Sequence, residues 1–110
     1  MELMVNNSMV EMTDQGFLVR ATDWDEDVAV RLAELNRIEL RTEHWEIIHF
    51  IRDYYLQFKH LPNTRVFVKA IAKQLGQEKG NSRYLHRLFP EGPLKYACKL
   101  AGLPKPPSCM

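Results

Sequence analysis

The chain has 110 residues, 45% of them hydrophobic, and a formal net charge of +1. That is a single domain with enough apolar content to fold unaided, and it carries no global field favouring nucleic acid or an anionic membrane. No apolar run approaches the ~20 residues needed to cross a bilayer and the start, Met-Glu-Leu-Met-Val-Asn-Asn, lacks a basic region followed by an apolar core, so a cytoplasmic protein without direct membrane insertion is expected.

Residues 1–8 carry no pattern and read as a loose N-terminus. Val10, Met12, Phe17 and Val19 alternate about Thr13-Asp14-Gln15-Gly16, which predicts a hairpin over residues 9–20 with Gly16 at positive φ. A helical bundle is then expected over residues 22–101. Thr22 or Asp23 caps its first helix, whose buried stripe is Val28, Leu32 and Leu35. Thr42 caps a second helix to about Phe58, with Trp45, Ile48, Ile51, Tyr55 and Phe58 on one stripe and Ile47, Phe50 and Tyr54 beside it. So wide an apolar arc predicts the central helix. Pro62 breaks the chain. Thr64 caps a third helix with Val66, Ala70, Ile71 and Leu75 inward and Gly76 at its end. Asn81 or Ser82 starts a short fourth helix bearing Tyr84, Leu85 and Leu88, and Pro93 occupies the first position of the last. The fold class is therefore mainly α: a small orthogonal bundle of about five helices with an N-terminal β-hairpin and a flexible C-terminal arm.

That arm, residues 102–110, holds the chain's most unusual chemistry. Cys98 lies where the last helix finishes, Gly102 stops that helix, and Pro104 keeps it from resuming. The proline-rich run from Leu103 favours an extended strand, which over seven residues would carry the Cys109 thiol roughly 20 Å from the helix end. From the residues alone three readings stay open: a sulfur atom delivered into another protein's pocket, a structural disulfide between Cys98 and Cys109, and two idle thiols.

The rival motif is Val68 to Gly76 followed by Ser82-Arg83-Tyr84-Leu85, which has the outline of a helix-turn-helix, with Ala72 and Gly76 four apart. Lys69, Lys73, Lys79, Arg83 and Arg87 could meet phosphates there. Gln77 and Ser82 fall where that motif buries apolar side chains, so DNA binding ranks below an ordinary helical hairpin with a solvated basic face. A third reading has a basic surface of Lys79, Arg83, Arg87 and Lys105 docking a partner's acidic surface or a sulfur oxyanion. His44, His49, His60 and His86 contain no pair three or four apart, and two cysteines alone make no zinc site, so neither metal nor cofactor is expected. Trp24, Trp45, Tyr54 and Tyr55 read as core and rim.

Several stretches, in order, resemble the DsrC/TusE family of small sulfur-carrier proteins. They are Asp14-Gln15-Gly16-Phe17-Leu18, Glu43-His44-Trp45-Glu46, Phe50 to Tyr55, Lys79 to Leu85, Leu88 to Pro93 and Ala101 to Pro106, ending on a penultimate cysteine. Met1 to Met12 resembles the family poorly. The resemblance implies a persulfide carried on Cys109, with Cys98 as the second thiol that marks the DsrC branch. In that branch the protein is a co-substrate of dissimilatory sulfite reductase more than an enzyme in its own right. The implied partners are that reductase, a DsrEFH-type or TusBCD-type sulfur-donor complex, and a tRNA thiolase or a membrane redox complex; a monomer is expected. The TusE branch, which relays sulfur toward tRNA 2-thiouridine synthesis and usually lacks the upstream cysteine, is the alternative. In either branch the Cys109 thiolate attacks a donor persulfide and later surrenders the outer sulfur. Cys98 would act as a resolving thiol, releasing sulfide and leaving a disulfide, and by the resemblance the two thiols could also hold a bridging sulfur as a trisulfide.

Overall fold

The structure, a computed structural model, describes residues 1–106; Cys109 lies outside the described residues. Two short strands, β1 (Glu2–Val5) and β2 (Ser8–Glu11), precede five helices: α1 (Glu26–Leu35), α2 (Thr42–Phe58), α3 (Thr64–Leu75), α4 (Ser82–Leu88) and α5 (Pro93–Leu100). A short 3-10 turn, Ala21–Asp23, lies before α1. The expected fold class, five helices behind an N-terminal hairpin, is the one observed.

The hairpin forms earlier than its sequence pattern suggests. Residues 1–8 are not loose: β1 pairs antiparallel with β2, with Leu3 opposite Val10 and Met4 opposite Met9. Asn6 and Asn7, at φ 48 and 67, make the two-residue turn, the positive-φ pair that matches strand twist and that asparagine tolerates. Leu3, Val5, Val10 and Met12 face the core, while Met4 and Met9 face out. The hairpin predicted over 9–20 survives as a tight return at Thr13–Gly16, with Gly16 at φ 89, closed by a single bridge between Met12 and Leu18. Phe17 and Leu18 are both buried and Val19 is exposed, so alternation breaks there and no regular strand can continue.

Three helix starts differ from expectation for one reason: a side chain that reaches back to a free amide decides the cap. Asp25, not Thr22 or Asp23, caps α1 by accepting from the Val28 amide at 2.9 Å. Asn63, not Thr64, caps α3 through Val66 N–H at 2.9 Å. At α2 the Arg41 amide donates to His44 Nδ1 at 3.1 Å, so His44, not Thr42, closes the first turn in the manner of a reciprocal capping residue. Asn81 caps α4 as expected, accepting from Tyr84 N–H at 2.9 Å.

The centre of the bundle is α5, not α2. α1, α2 and α4 all pack on α5, and Pro93, Leu94, Ala97, Cys98, Lys99 and Leu100 are all buried. Ala97, Cys98 and Ala101 are small enough to let neighbouring helices approach from several sides. The expected stripes shift accordingly. Leu35, Phe58 and Val66 are exposed, while Phe67 and Phe89, which the pattern did not single out, are fully buried. On α1 the buried face is Val28, Ala29, Leu32 and Ala33, from which Leu35 is rotated roughly a quarter turn.

Candidate functional site at the end of the central helix

The last turn of α5 sets where the C-terminal segment leaves the bundle. Gly102, at φ 69, is the left-handed residue after the helix. Its amide donates to Lys99 O at 3.2 Å, and the Leu103 amide donates to Cys98 O at 3.0 Å. This pair of bonds is a Schellman closure. Leu103 is only 1% exposed. The arm therefore does not begin at residue 102. Pro104 and Lys105 are exposed, but Pro106 is buried again. Pro104 and Lys105 border a groove whose other wall is the return at residues 13–21.

Two side chains from elsewhere clamp this helix end. Trp24 Nε1 donates to Leu100 O at 2.8 Å, and Arg52 Nη1 donates to Ala101 O at 2.7 Å. Both carbonyls are orphans of the helix terminus and carry its negative end. The Arg52 guanidinium also lies 4.2 Å from the centre of the Trp24 ring. Burial holds the Arg52 pKa below its usual range, with Asp53 pulling the other way. Gly102 is needed for space as well as for φ: a Cβ there would come 2.5 Å from Trp24 Cδ1 and 2.7 Å from its Cβ. Sequence reasoning placed Trp24 in the core or rim and did not single out Arg52. The only signal was Trp24 just ahead of a helix start.

Cys98 is fully buried, one residue before Lys99. Lys99 is only 7% exposed, and its ammonium sits 4.8 Å from the Tyr96 ring centre and 5.2 Å from that of Phe17. Gly16 lies against the same group: its missing Cβ would be 3.5 Å from Lys99 Nζ. The Lys99 ammonium thus lies between two aromatic faces, the geometry of a cation–π contact.

Of the expected docking residues, Lys79 and Arg87 both lie by Tyr84. Lys79 is tied to Glu46 at 2.6 Å, and that hydrogen bond raises its pKa. Arg83 and Arg87 are exposed on α4. Arg87 lines a cleft with Arg37 and Arg41, whereas Lys105 borders the separate groove by residues 13–21. The α3–α4 pair has its tight crossing at Gly80, whose Cβ would collide with the Ala72 backbone, while nothing lies within 4 Å of Gly76. His44 is a structural residue: its Nε2 donates to Leu88 O at 2.8 Å, and its Nδ1 accepts from Arg41, which requires the neutral ring. Among the described residues no group of three His, Cys, Asp or Glu could hold a metal ion, and no helix is long and apolar enough to cross a membrane.

Comparison with known proteins gives a consistent set of likenesses. The model of a family described as DsrC like protein matches residues 4–110. The sulfurtransferase TusE homolog of Haemophilus influenzae is 51% identical over 108 residues, covering 98% of this chain and 99% of that protein. Sulfurtransferase TusE of Escherichia coli (strain K12) is 49% identical with the same coverage. The NMR structure of Allochromatium vinosum DsrC superposes with a TM-score of 0.91 at 45% identity, covering 99% of this chain and 97% of that one.

Proposed function

The chain belongs to the DsrC-like family, and from that premise we propose that it is a TusE-type sulfur-relay protein that carries persulfide sulfur on Cys109. Membership of the DsrC/TusE family supports a sulfur-relay carrier in general. The observation that carries the finer reading is the identity of 51% over nearly the whole chain with a protein named as a sulfurtransferase TusE homolog. That likeness outweighs the DsrC-branch reading drawn from Cys98, and the role as a sulfite reductase co-substrate recedes behind a relay toward tRNA 2-thiouridine synthesis.

The proposed chemistry balances with one thiol. The Cys109 thiolate attacks the outer sulfur of a donor's persulfide, forming the Cys109 S–S bond and expelling the donor thiolate. An acceptor thiolate then attacks that outer sulfur, and the Cys109 thiolate leaves. No electrons are gained or lost overall. Only the thiolate form is competent for either attack. The clamp of Trp24 and Arg52 gives that arm a fixed origin. Partners of this reading are a TusBCD-type donor and a tRNA thiolase as acceptor.

The test is transfer of radiolabelled sulfur. The loaded protein should pass label to tRNA through a thiolase, the Cys98→Ser protein should do so at a comparable rate, and the Cys109→Ser protein should pass none. Transfer that requires Cys98, or that occurs only when a sulfite reductase is supplied, would reverse the choice of branch.

A further inference from the structure

Away from the arm, the far end of α2 and the face of α3 carry a combination of groups that sulfur exchange does not use. Phe58, at the last position of α2, is 48% exposed, and Leu56 on α2 and Val66 on α3 are exposed too. The Phe58 ring lies 4.7 Å from that of Tyr54, tilted by 50°, and 6.3 Å from that of His60, tilted by 43°, so Phe58 is the exposed face of a small cluster of tilted rings. Tyr54 and Phe58 line a groove of about 570 Å³ whose opposite wall is α3, contributing Lys73. Asp53 is the one carboxylate on that lining.

α3 has no acidic residue. Arg65, Lys69 and Lys73 follow one another at intervals of four, so they share one face of the helix. All three are exposed, and none enters an ion pair among the described residues. Lys59 follows Phe58 in the left-handed conformation, at φ 62, and is exposed as well. Aromatic faces flanked by a line of cations are the pattern that binds unpaired bases and their phosphates together.

We propose that the α2–α3 groove is a binding site for single-stranded nucleic acid, with a base stacking on the exposed face of Phe58 and phosphates meeting Lys73 at the groove and Lys69 and Arg65 further along the same face of α3. This differs from the helix-turn-helix reading, in which α4 would enter a duplex groove. It also stands apart from the relay: it involves neither cysteine, so it can fail while sulfur transfer holds, and the reverse.

The experiment is fluorescence anisotropy of a labelled mixed-sequence RNA of twelve nucleotides, its duplex, and an Asp/Glu peptide of equal charge, against the fully reduced protein. The single strand should bind preferentially, with a log–log salt slope of roughly −2 for three phosphates. Phe58→Ala should weaken it roughly tenfold by removing one stacking face. Lys69→Gln with Lys73→Gln should reduce the slope by roughly 1.4. These positions are exposed, and circular dichroism confirms that each variant folds. Absence of binding at low salt would overturn the proposal. So would equal binding of the duplex, or of the acidic peptide, with no effect of Phe58→Ala; either result would assign the stripe to plain charge attraction or to an acidic protein surface.

Discussion

Gly102→Ala is the substitution that most sharply probes how the arm is rooted. Its backbone sits at φ 69, where an L-residue costs about 1–2 kcal/mol. The new Cβ would also stand 2.5–2.8 Å from three atoms of Trp24, so the indole must move. Moving it breaks the bond from Nε1 to Leu100 O, a loss of about 1 kcal/mol. It also disrupts the stack under the Arg52 guanidinium, a further loss of about 1 kcal/mol. The expected cost is about 3–4 kcal/mol in total, a drop in Tm on the order of 15 °C. Gly76→Ala is the control. Gly76 also has positive φ, at 100, but has nothing within 4 Å, so it should lose only the backbone strain, about 1–3 kcal/mol. Urea denaturation in a Trp45→Phe background reads both quantities at once, because Trp24 is then the sole indole. Its emission should shift to the red in Gly102→Ala and stay put in Gly76→Ala. Equal destabilisation of the two variants with unshifted emission would refute the clamp.

Further outcomes follow from the same geometry. Leu103→Ala should cost about 3 kcal/mol by opening a cavity over the last turn of α5; in the Cys109→Ser protein it should also speed alkylation of Cys98, read by mass spectrometry. Among the described residues Tyr84 Oη is buried without a hydrogen-bond partner, so Tyr84→Phe should be neutral or stabilise by about 1 kcal/mol in chemical denaturation. Burial raises the Tyr84 phenol pKa above its usual 10.0. The folded protein thus holds that proton more tightly than the unfolded chain does. Its contribution is complete below pH 10.0 and is lost as pH rises through the folded-state value. Lys79, raised by Glu46, acts in the same direction, so Tyr84→Phe should flatten the alkaline decline of stability without abolishing it. Asn7→Val, at φ 67, should cost about 1–2 kcal/mol and fray β1 first, as seen by amide exchange.

Where the chain announces its structure locally, the sequence is readable. Gly76 after α3, Asn81 before α4 and Pro93 at the start of α5 each act through their own backbone or their nearest amides, and each does what its residue type suggests. The class of fold follows from these stops and from the 3.6-residue periodicity between them. Tertiary preferences are harder to read. α5 is only eight residues long and looks minor beside α2, yet its small residues make it the helix on which the others converge. Phe67 and Phe89 gain their burial from neighbours distant in sequence. The turn at Asn6-Asn7 was legible in principle, but the strands it joins are four residues each and their pattern is too short to stand out. At the candidate site, Cys98, Gly102 and the proline-rich segment were plain in the sequence. The contacts of Trp24 and Arg52 with Leu100 and Ala101 were not, because they join residues 76 and 49 positions apart.

The most direct test of the account is sulfur loading followed by intact-mass measurement. The reduced protein is incubated with a persulfide donor and weighed, alongside Cys98→Ser and Cys109→Ser. The parent and Cys98→Ser should each gain about 32 Da, one sulfur atom, reversed by a thiol reductant, and Cys109→Ser should gain none. Loading that persists in Cys109→Ser, or that disappears in Cys98→Ser, would contradict a relay carried by Cys109 alone.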